Sequence, residues 1–309
     1  MTSAPGVPRE TGPDPAVVAQ LLRAQAPRWA HLPVRPTPTS GSSTWVYRLG
    51  DELAVRLPRS DGNVPDLLNE VRWLPHLSDR LPVVIPRVVA VGEPTEHFPR
   101  PWTVVSWVTG DPPRQLDPNQ QGRLARTLGR FLRSLHELDT YGAPAGAASW
   151  GYRCGEPVTD TIDAWAEHAA AALTDVFDEA AVREAWRRLR DVPPATGPPC
   201  LVHTDVSAEN VLTHADGRLA GVIDFGGTGV GDRSVDLLYA WSLLEAPARE
   251  QLRVEAGADE ATWTRARAWA FVGPGLRTIA GYRDVMPART ARLTRMVEAV
   301  AAEVGVRLC

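Results

Sequence analysis

Residues 201–226 read LVHTDVSAENVLTHADGRLAGVIDFG, and the reading of this stretch decides the fold. Leu201 and Val202 are an apolar lead-in. His203, Asp205 and Asn210 follow within one short segment, so an imidazole, a carboxylate and an amide lie close in sequence. Val211 and Leu212 are apolar again. Asp216-Gly217 lies between apolar runs, a pattern that favours a hairpin turn. Leu219 to Ile223 is a short β-like run that delivers Asp224, Phe225 and Gly226. The expected order is loop, strand, tight turn, strand, acidic residue. Two carboxylates and an amide on a hairpin suit phosphoryl transfer. Asp205 can accept the proton of an attacking hydroxyl, and Asn210 and Asp224 are hard oxygen ligands for Mg²⁺ on nucleotide phosphates. Each residue alone also fits an ordinary capping loop, since Asp and Asn are common turn residues.

Taken together, H-x-D-x-x-x-x-N and the Asp-Phe-Gly that ends the second strand resemble the catalytic and metal-binding loops of the protein-kinase-like superfamily. The form looks most like the aminoglycoside phosphotransferase family. That resemblance extends from about Thr39 onward. It implies an α+β, bilobal fold with a small β-rich lobe and a larger, mainly helical lobe, and ATP or GTP held between them with Mg²⁺. The expected divisions are an N-terminal extension with a helix at 1–33, a nucleotide-binding lobe at 34–108 and a catalytic and acceptor-binding lobe at 109–309. By the same resemblance, Asp205 is the catalytic base and Asn210 and Asp224 hold metal. His203 steadies the loop, and Asp236 braces it through backbone N–H groups. One position departs from the family, which usually has Gly after the His where this chain has Thr204. If that position needs a positive φ, Thr is strained there by about 1–3 kcal/mol.

Outward from the core stretch, the N-terminal half supplies the phosphate-binding candidates. Asp14-Pro15 is a helix start, and Val17, Val18, Leu21 and Leu22 give its apolar face. Trp45 to Leu49 and Leu53 to Leu57 read as a hairpin. Ahead of it, Ser42 and Ser43 belong to a small-residue loop whose amides can approach phosphate, although it lacks a full glycine set and also reads as an ordinary turn. Arg56 stands where a protein kinase carries its phosphate-binding Lys. The chain has no Lys at all, so this role falls to Arg, a competent fork for phosphate oxygens. The plainer alternative is a surface arginine on a strand. Glu70, on a segment with helical spacing, is the expected partner of Arg56. Trp102 to Val108 reads as a strand leading into the hinge. The resemblance implies that the backbone of Ser106 to Val108 bonds adenine and that Val105 and Trp107 line its slot. A plain core strand is the alternative.

Asp117 to Leu138 has one apolar stripe and predicts a helix, with His136 packing against the catalytic loop. Residues 160–190 read as helical. Asp160, Asp163 and Glu167 there are either acceptor-facing charges or a solvated face. Val235 to Leu244 predicts a buried helix, and 257–304 two or more helices. Among those, Trp269, Tyr282 and Asp284, with Trp263, Phe271 and Arg283, are candidates to wall an acceptor pocket, against core packing for most.

Composition narrows the classes. The chain has 309 residues, 44% hydrophobic and 23% charged, with a net charge of −4 and a pI near 6.0. It carries no basic footprint for nucleic acid, and no apolar run approaches the roughly 20 residues needed to span a bilayer. A cytoplasmic enzyme with no membrane partner is expected, and nothing in the pattern speaks to its oligomeric state. Three scattered cysteines, Cys154, Cys200 and Cys309, lack metal-type spacing. The resemblance implies a hydroxylated small molecule as acceptor: an antibiotic or related natural product (aminoglycoside, macrolide or nucleoside type), or a metabolic alcohol such as homoserine, choline or a sugar. A non-catalytic nucleotide-binding regulator is the third class. From Val230 to Cys309 there are 10 acidic residues against 11 arginines, which gives no acidic excess for a polycation.

Overall fold

The structure is a computed structural model that describes residues 12–37, 43–143 and 158–309. It divides into two compact units. The first takes Met1–Thr109 with Gly221–Gly226, and the second takes Gly110–Ala220 with Gly227–Cys309.

The first unit is built on a five-stranded sheet: β1 (Val34–Pro36), β2 (Thr44–Leu49), β3 (Leu53–Pro58), β4 (Val88–Gly92) and β5 (Trp102–Ser106), in the order β1-β2-β3-β5-β4. Every pairing is antiparallel. Side chains alternate across the sheet, so Tyr47, Leu49, Val55, Leu57, Trp102 and Val104 bury one face. Helix α1 (Pro15–Gln25) covers that face with Val18, Leu21 and Leu22. Its start follows from Asp14, whose side chain accepts from the Ala16 amide at 2.7 Å, and from Pro at the first helical position. Each fully buried aliphatic side chain stabilises by roughly 1.5–3 kcal/mol. On β3, Arg56 has the opposite parity to Val55 and Leu57, so it points to the other face, toward α2 (Val64–Leu77). The segment 221–226 joins this unit at an isolated bridge between Gly221 and Val84.

The second unit is mainly helical. Helix α3 (Pro118–His136) starts with a reciprocal capping box between Asp117 and Gln120. It buries Leu124, Leu128, Phe131, Leu132 and Leu135. It lies against α7 (Ala246–Glu255) so closely that a Cβ on Gly129 would stand 2.5 Å from that of Glu255. The stretch expected to be helical at 160–190 is two helices, α4 (Asp160–Ala172) and α5 (Glu179–Leu189). The break arises because Leu173 and Phe177 turn into the core and Asp178 caps a new helix at the Ala181 amide.

Short strands then frame the loop at 203–210. β6 (Cys200–Val202) pairs with β9 (Gly229–Gly231), and β7 (Val211–Thr213) with β8 (Leu219–Val222). The helix expected at Val235–Leu244 is instead a 3₁₀ segment, Arg233–Leu237, followed by the short α6 (Ala240–Leu243). Asp232 caps the 3₁₀ turn at the Ser234 amide. The following turn aims the Asp236 carboxylate at the amides of the loop. The C-terminal part comprises α8 (Glu260–Ala270), a π-helical turn Phe271–Arg277, α9 (Thr278–Tyr282) and α10 (Pro287–Glu303). Pro274, which lacks an N–H, sits within the π turn, consistent with the widening there. No helix among the described residues is long and apolar enough to cross a membrane.

Candidate active site

In the first unit, Arg56 and Glu70 form a close ion pair, with side chains 12% and 3% exposed. Burial alone would lower the Arg56 guanidinium, but Glu70 and Asp224 hold its pKa above the ordinary value. Burial pushes the Glu70 carboxyl up, and the Arg56 charge and the Phe225 amide pull it back. The second nitrogen of the Arg56 fork lies 3.5 Å from Asp224 Oδ1. Glu70 therefore has two tasks. It holds the guanidinium, and Oε1 accepts from the Phe225 amide at 2.9 Å, which ties the Asp-Phe-Gly segment to α2. Asn69 adds a second tie by donating to the Gly226 carbonyl at 2.8 Å. Asp224 itself has a φ of 66°, a left-handed conformation that Asp tolerates better than most residues. Its carboxylate is 37% exposed.

The other candidates of this unit divide. Ser42 lies outside the described residues, and the Ser43 carbonyl accepts from the Arg59 amide at 3.0 Å. The amide of Ser106 donates to the Arg87 carbonyl at 2.9 Å, and that of Trp107 to Glu52 at 2.7 Å. Of the three hinge amides, only that of Val108 bonds to no described residue, and Val108 is buried. Val105 is buried, while the ring of Trp107 is stacked by Arg48 at 4.1 Å.

In the second unit, the 203–210 loop is held from beneath by Asp236, which is fully buried. Its carboxylate accepts from the His203 amide at 3.0 and 3.1 Å and from the Thr204 amide at 2.7 Å. His136 Nε2 meets the same carboxylate at 2.9 Å. The loop's own contacts complete the hold: the Asp205 amide donates to His203 Nδ1 at 3.2 Å. Asn210 Nδ2 donates to both the backbone carbonyl and Oδ2 of Asp205, each at 2.9 Å. Thr204, the second of the two braced residues and next to Asp205, has a φ of 75°. The backbone thus takes the left-handed turn for which glycine is suited, and it does so with a threonine. Asp205 is left a quarter exposed.

The acceptor-side candidates do not converge. Trp269 is buried, its indole N–H bonding to no described residue. Trp263 packs on Trp241 with ring centroids 4.7 Å apart, and Phe271 is fully buried. Tyr282 and Asp284 are exposed, and Arg283 pairs with Asp175 at 2.7 Å. Sequence reasoning missed Arg289. This residue of α10 places its guanidinium 4.0 Å from Asp205 Oδ1. No local pattern marks it, because α10 approaches the loop only through the fold.

Among the described residues no three His, Cys, Asp or Glu side chains cluster as a metal set. Asn210 and Asp224 are instead single hard-oxygen donors. Asn210 spends its N–H groups on Asp205, so its carbonyl oxygen is the atom left to bind.

The family model described as the phosphotransferase enzyme family (APH) matches residues 34–269. An aminoglycoside 3′-phosphotransferase of Escherichia coli is 26% identical over 192 residues, 59% of this chain. The match spans 64% of that relative's length. The GDP and kanamycin complex of APH(2″)-IIia superposes with a TM-score of 0.66 at 19% identity, covering 93% of this chain and 98% of the other. The apoenzyme of macrolide 2′-phosphotransferase MphH from Brachybacterium faecium gives a TM-score of 0.58 at 20% identity, covering 91% and 97%. At these identities the two structures show a shared fold.

Proposed function

The chain belongs to the phosphotransferase enzyme family, and from that premise we propose that it transfers the γ-phosphoryl group of ATP or GTP to a hydroxyl of a small molecule, an antibiotic or a related natural product. The observation that carries this reading is the state of Asp205. Its carboxylate is oriented by Asn210, its loop is pinned by Asp236, and it stays partly open to solvent. A carboxylate so held can receive a hydroxyl proton as the hydroxyl oxygen bonds to the γ-phosphorus. The bond from that phosphorus to the bridging oxygen then breaks, and the nucleoside diphosphate leaves with the electron pair. Little covalent work falls to the protein, so positioning and charge neutralisation supply most of the acceleration.

Arg56, kept charged and fixed by Glu70, offers a fork for phosphate oxygens. The Asn210 carbonyl of the second unit and the Asp224 carboxylate of the first are each a hard oxygen ligand of the kind that would hold Mg²⁺. Once bound, the ion would neutralise phosphate charge. Related structures described as GDP, ATP and ADP complexes support a purine nucleotide as donor. Those with kanamycin and gentamicin support a hydroxylated natural product as acceptor.

The test is nucleotide consumption across hydroxylated antibiotics and small alcohols, with Asp205→Ala alongside. The substitution is expected to lower turnover about 10²- to 10⁴-fold while nucleotide binding persists. Unchanged turnover removes Asp205 from the chemistry. Binding without any transfer points to a nucleotide-binding regulator.

A further inference from the structure

The second unit brings a cation to the reacting carboxylate. Arg289, in the first turn of α10, lies 4.0 Å from Asp205 Oδ1, at the outer edge of ion-pair contact. Its Nη2 donates to the Tyr239 hydroxyl at 3.3 Å, a long bond. Its Nε is buried and bonds to no described residue. The side chains of Arg289 and Asp205 are 26% and 25% exposed. The guanidinium is thus anchored but not consumed. Burial alone would lower its pKa, but the Tyr239 oxygen, Asp205 and Glu209 hold it above the ordinary value.

Several carboxylates of this unit are already paired with other arginines. Arg292, one turn further along α10, forms an ion pair with Glu209 of the same loop. On α4, Asp163 is held by Arg190 and by the Trp186 indole N–H, and Glu167 by Arg183. Asp175 is held by Arg283. A polycation approaching Asp205 therefore meets a guanidinium. An anionic oxygen pair meets a fork that fits it.

We propose that Arg289 determines acceptor specificity: it receives a carboxylate or phosphate carried by the acceptor beside the hydroxyl that Asp205 deprotonates. The favoured acceptors are then hydroxy acids and their phosphate counterparts, and amino alcohols are disfavoured. This rests on the phosphotransferase reading and narrows the acceptor class within it. The transfer is the one written above, with the acceptor's anion as a spectator that fixes the hydroxyl in place.

Three-carbon acceptors of matched size test it: glycerate, glycerol and 2-amino-1,3-propanediol, each supplied with ATP or GTP and Mg²⁺, with ester formation read by phosphorus NMR. At low salt, kcat/KM for glycerate is expected to exceed that for the amino alcohol at least tenfold, and the gap should narrow as salt is added. Arg289→Ala should lower glycerate use at least tenfold, mainly through KM, and glycerol use much less. Arg289→Lys should keep most of the preference, and Arg289→Glu should turn it toward the amino alcohol. The proposal is overturned by equal use of the three, by preference for the amino alcohol in the unaltered protein, or by ester formation from none of them while Asp205-dependent transfer to water persists. It is also overturned by an Arg289→Ala loss that is uniform across the three, which would mark a structural role or contact with the transferred phosphoryl group. Absence of any Asp205-dependent nucleotide consumption, to water included, is a different result and defeats the phosphotransferase reading itself.

Discussion

Thr204 carries backbone strain next to the proposed base. Its φ of 75° is costly for a β-branched residue, by about 1–3 kcal/mol. The conformation persists because the Thr204 amide is committed to Asp236 at 2.7 Å while the side chain is packed, 2% exposed. Its hydroxyl is also buried with no described partner. Thr204→Gly removes the strain and the unsatisfied hydroxyl, against roughly 0.5–1 kcal/mol of added unfolded-chain entropy. The expected result is a gain of about 1 kcal/mol in denaturant titration. A loss of comparable size would mean that methyl packing outweighs the strain. The expectation from sequence was conditional on a positive φ, and only the fold could supply that angle. Asp205 and Asn210, by contrast, are candidates from the sequence alone. Their contact spans five residues of one loop, so local spacing already brings them together.

At the scale of elements, the 3₁₀ segment 233–237 and the 203–210 loop form one device. One carboxylate, Asp236, accepts the amides of His203 and Thr204 and contacts His136 of α3. Asp236→Ala would strand two buried amides at about 1–3 kcal/mol each. The expected outcome is a loss of about 3–5 kcal/mol by chemical denaturation, together with loss of turnover. A variant that keeps both stability and turnover would show that the loop holds its shape unaided. The elements themselves were legible where periodicity or capping was strong, as in α1, β2, β3, α3 and the hairpin after Asn210. They were misread where tertiary contacts decided the outcome. Residues 160–190 have helical spacing throughout, yet Leu173 and Phe177 leave the helix for the core. Val235–Leu244 is apolar enough for a helix, yet the aim of Asp236 toward the loop sets a tighter turn.

At the scale of the molecule, each unit gathers its candidate residues from positions distant in sequence. The first brings together Arg56, Glu70 and Asp224. A nucleotide that binds the folded chain alone stabilises it by about 2.7 kcal/mol at one hundred times its dissociation constant. Mg²⁺ with ATP or GTP should therefore raise the thermal midpoint of the unaltered chain. The rise should shrink on chelation and should require about 10- to 100-fold more nucleotide in Arg56→Ala, in line with loss of charge-assisted bonds of about 1.5–3 kcal/mol. An equal rise in Arg56→Ala would free Arg56 from any role at the phosphates. What the sequence by itself determined is the reaction class, and it named candidate groups, because His203, Asp205 and Asn210 lie within one short loop ahead of the β7–β8 hairpin, where spacing nearly equals geometry. Only the tertiary structure decided which charges surround those groups. Arg289 reaches Asp205, and Arg292 reaches Glu209, by the docking of a helix more than 70 residues downstream. A linear count of arginines and carboxylates cannot tell which of them pair and which stay open, since pairing is set by packing and not by order along the chain.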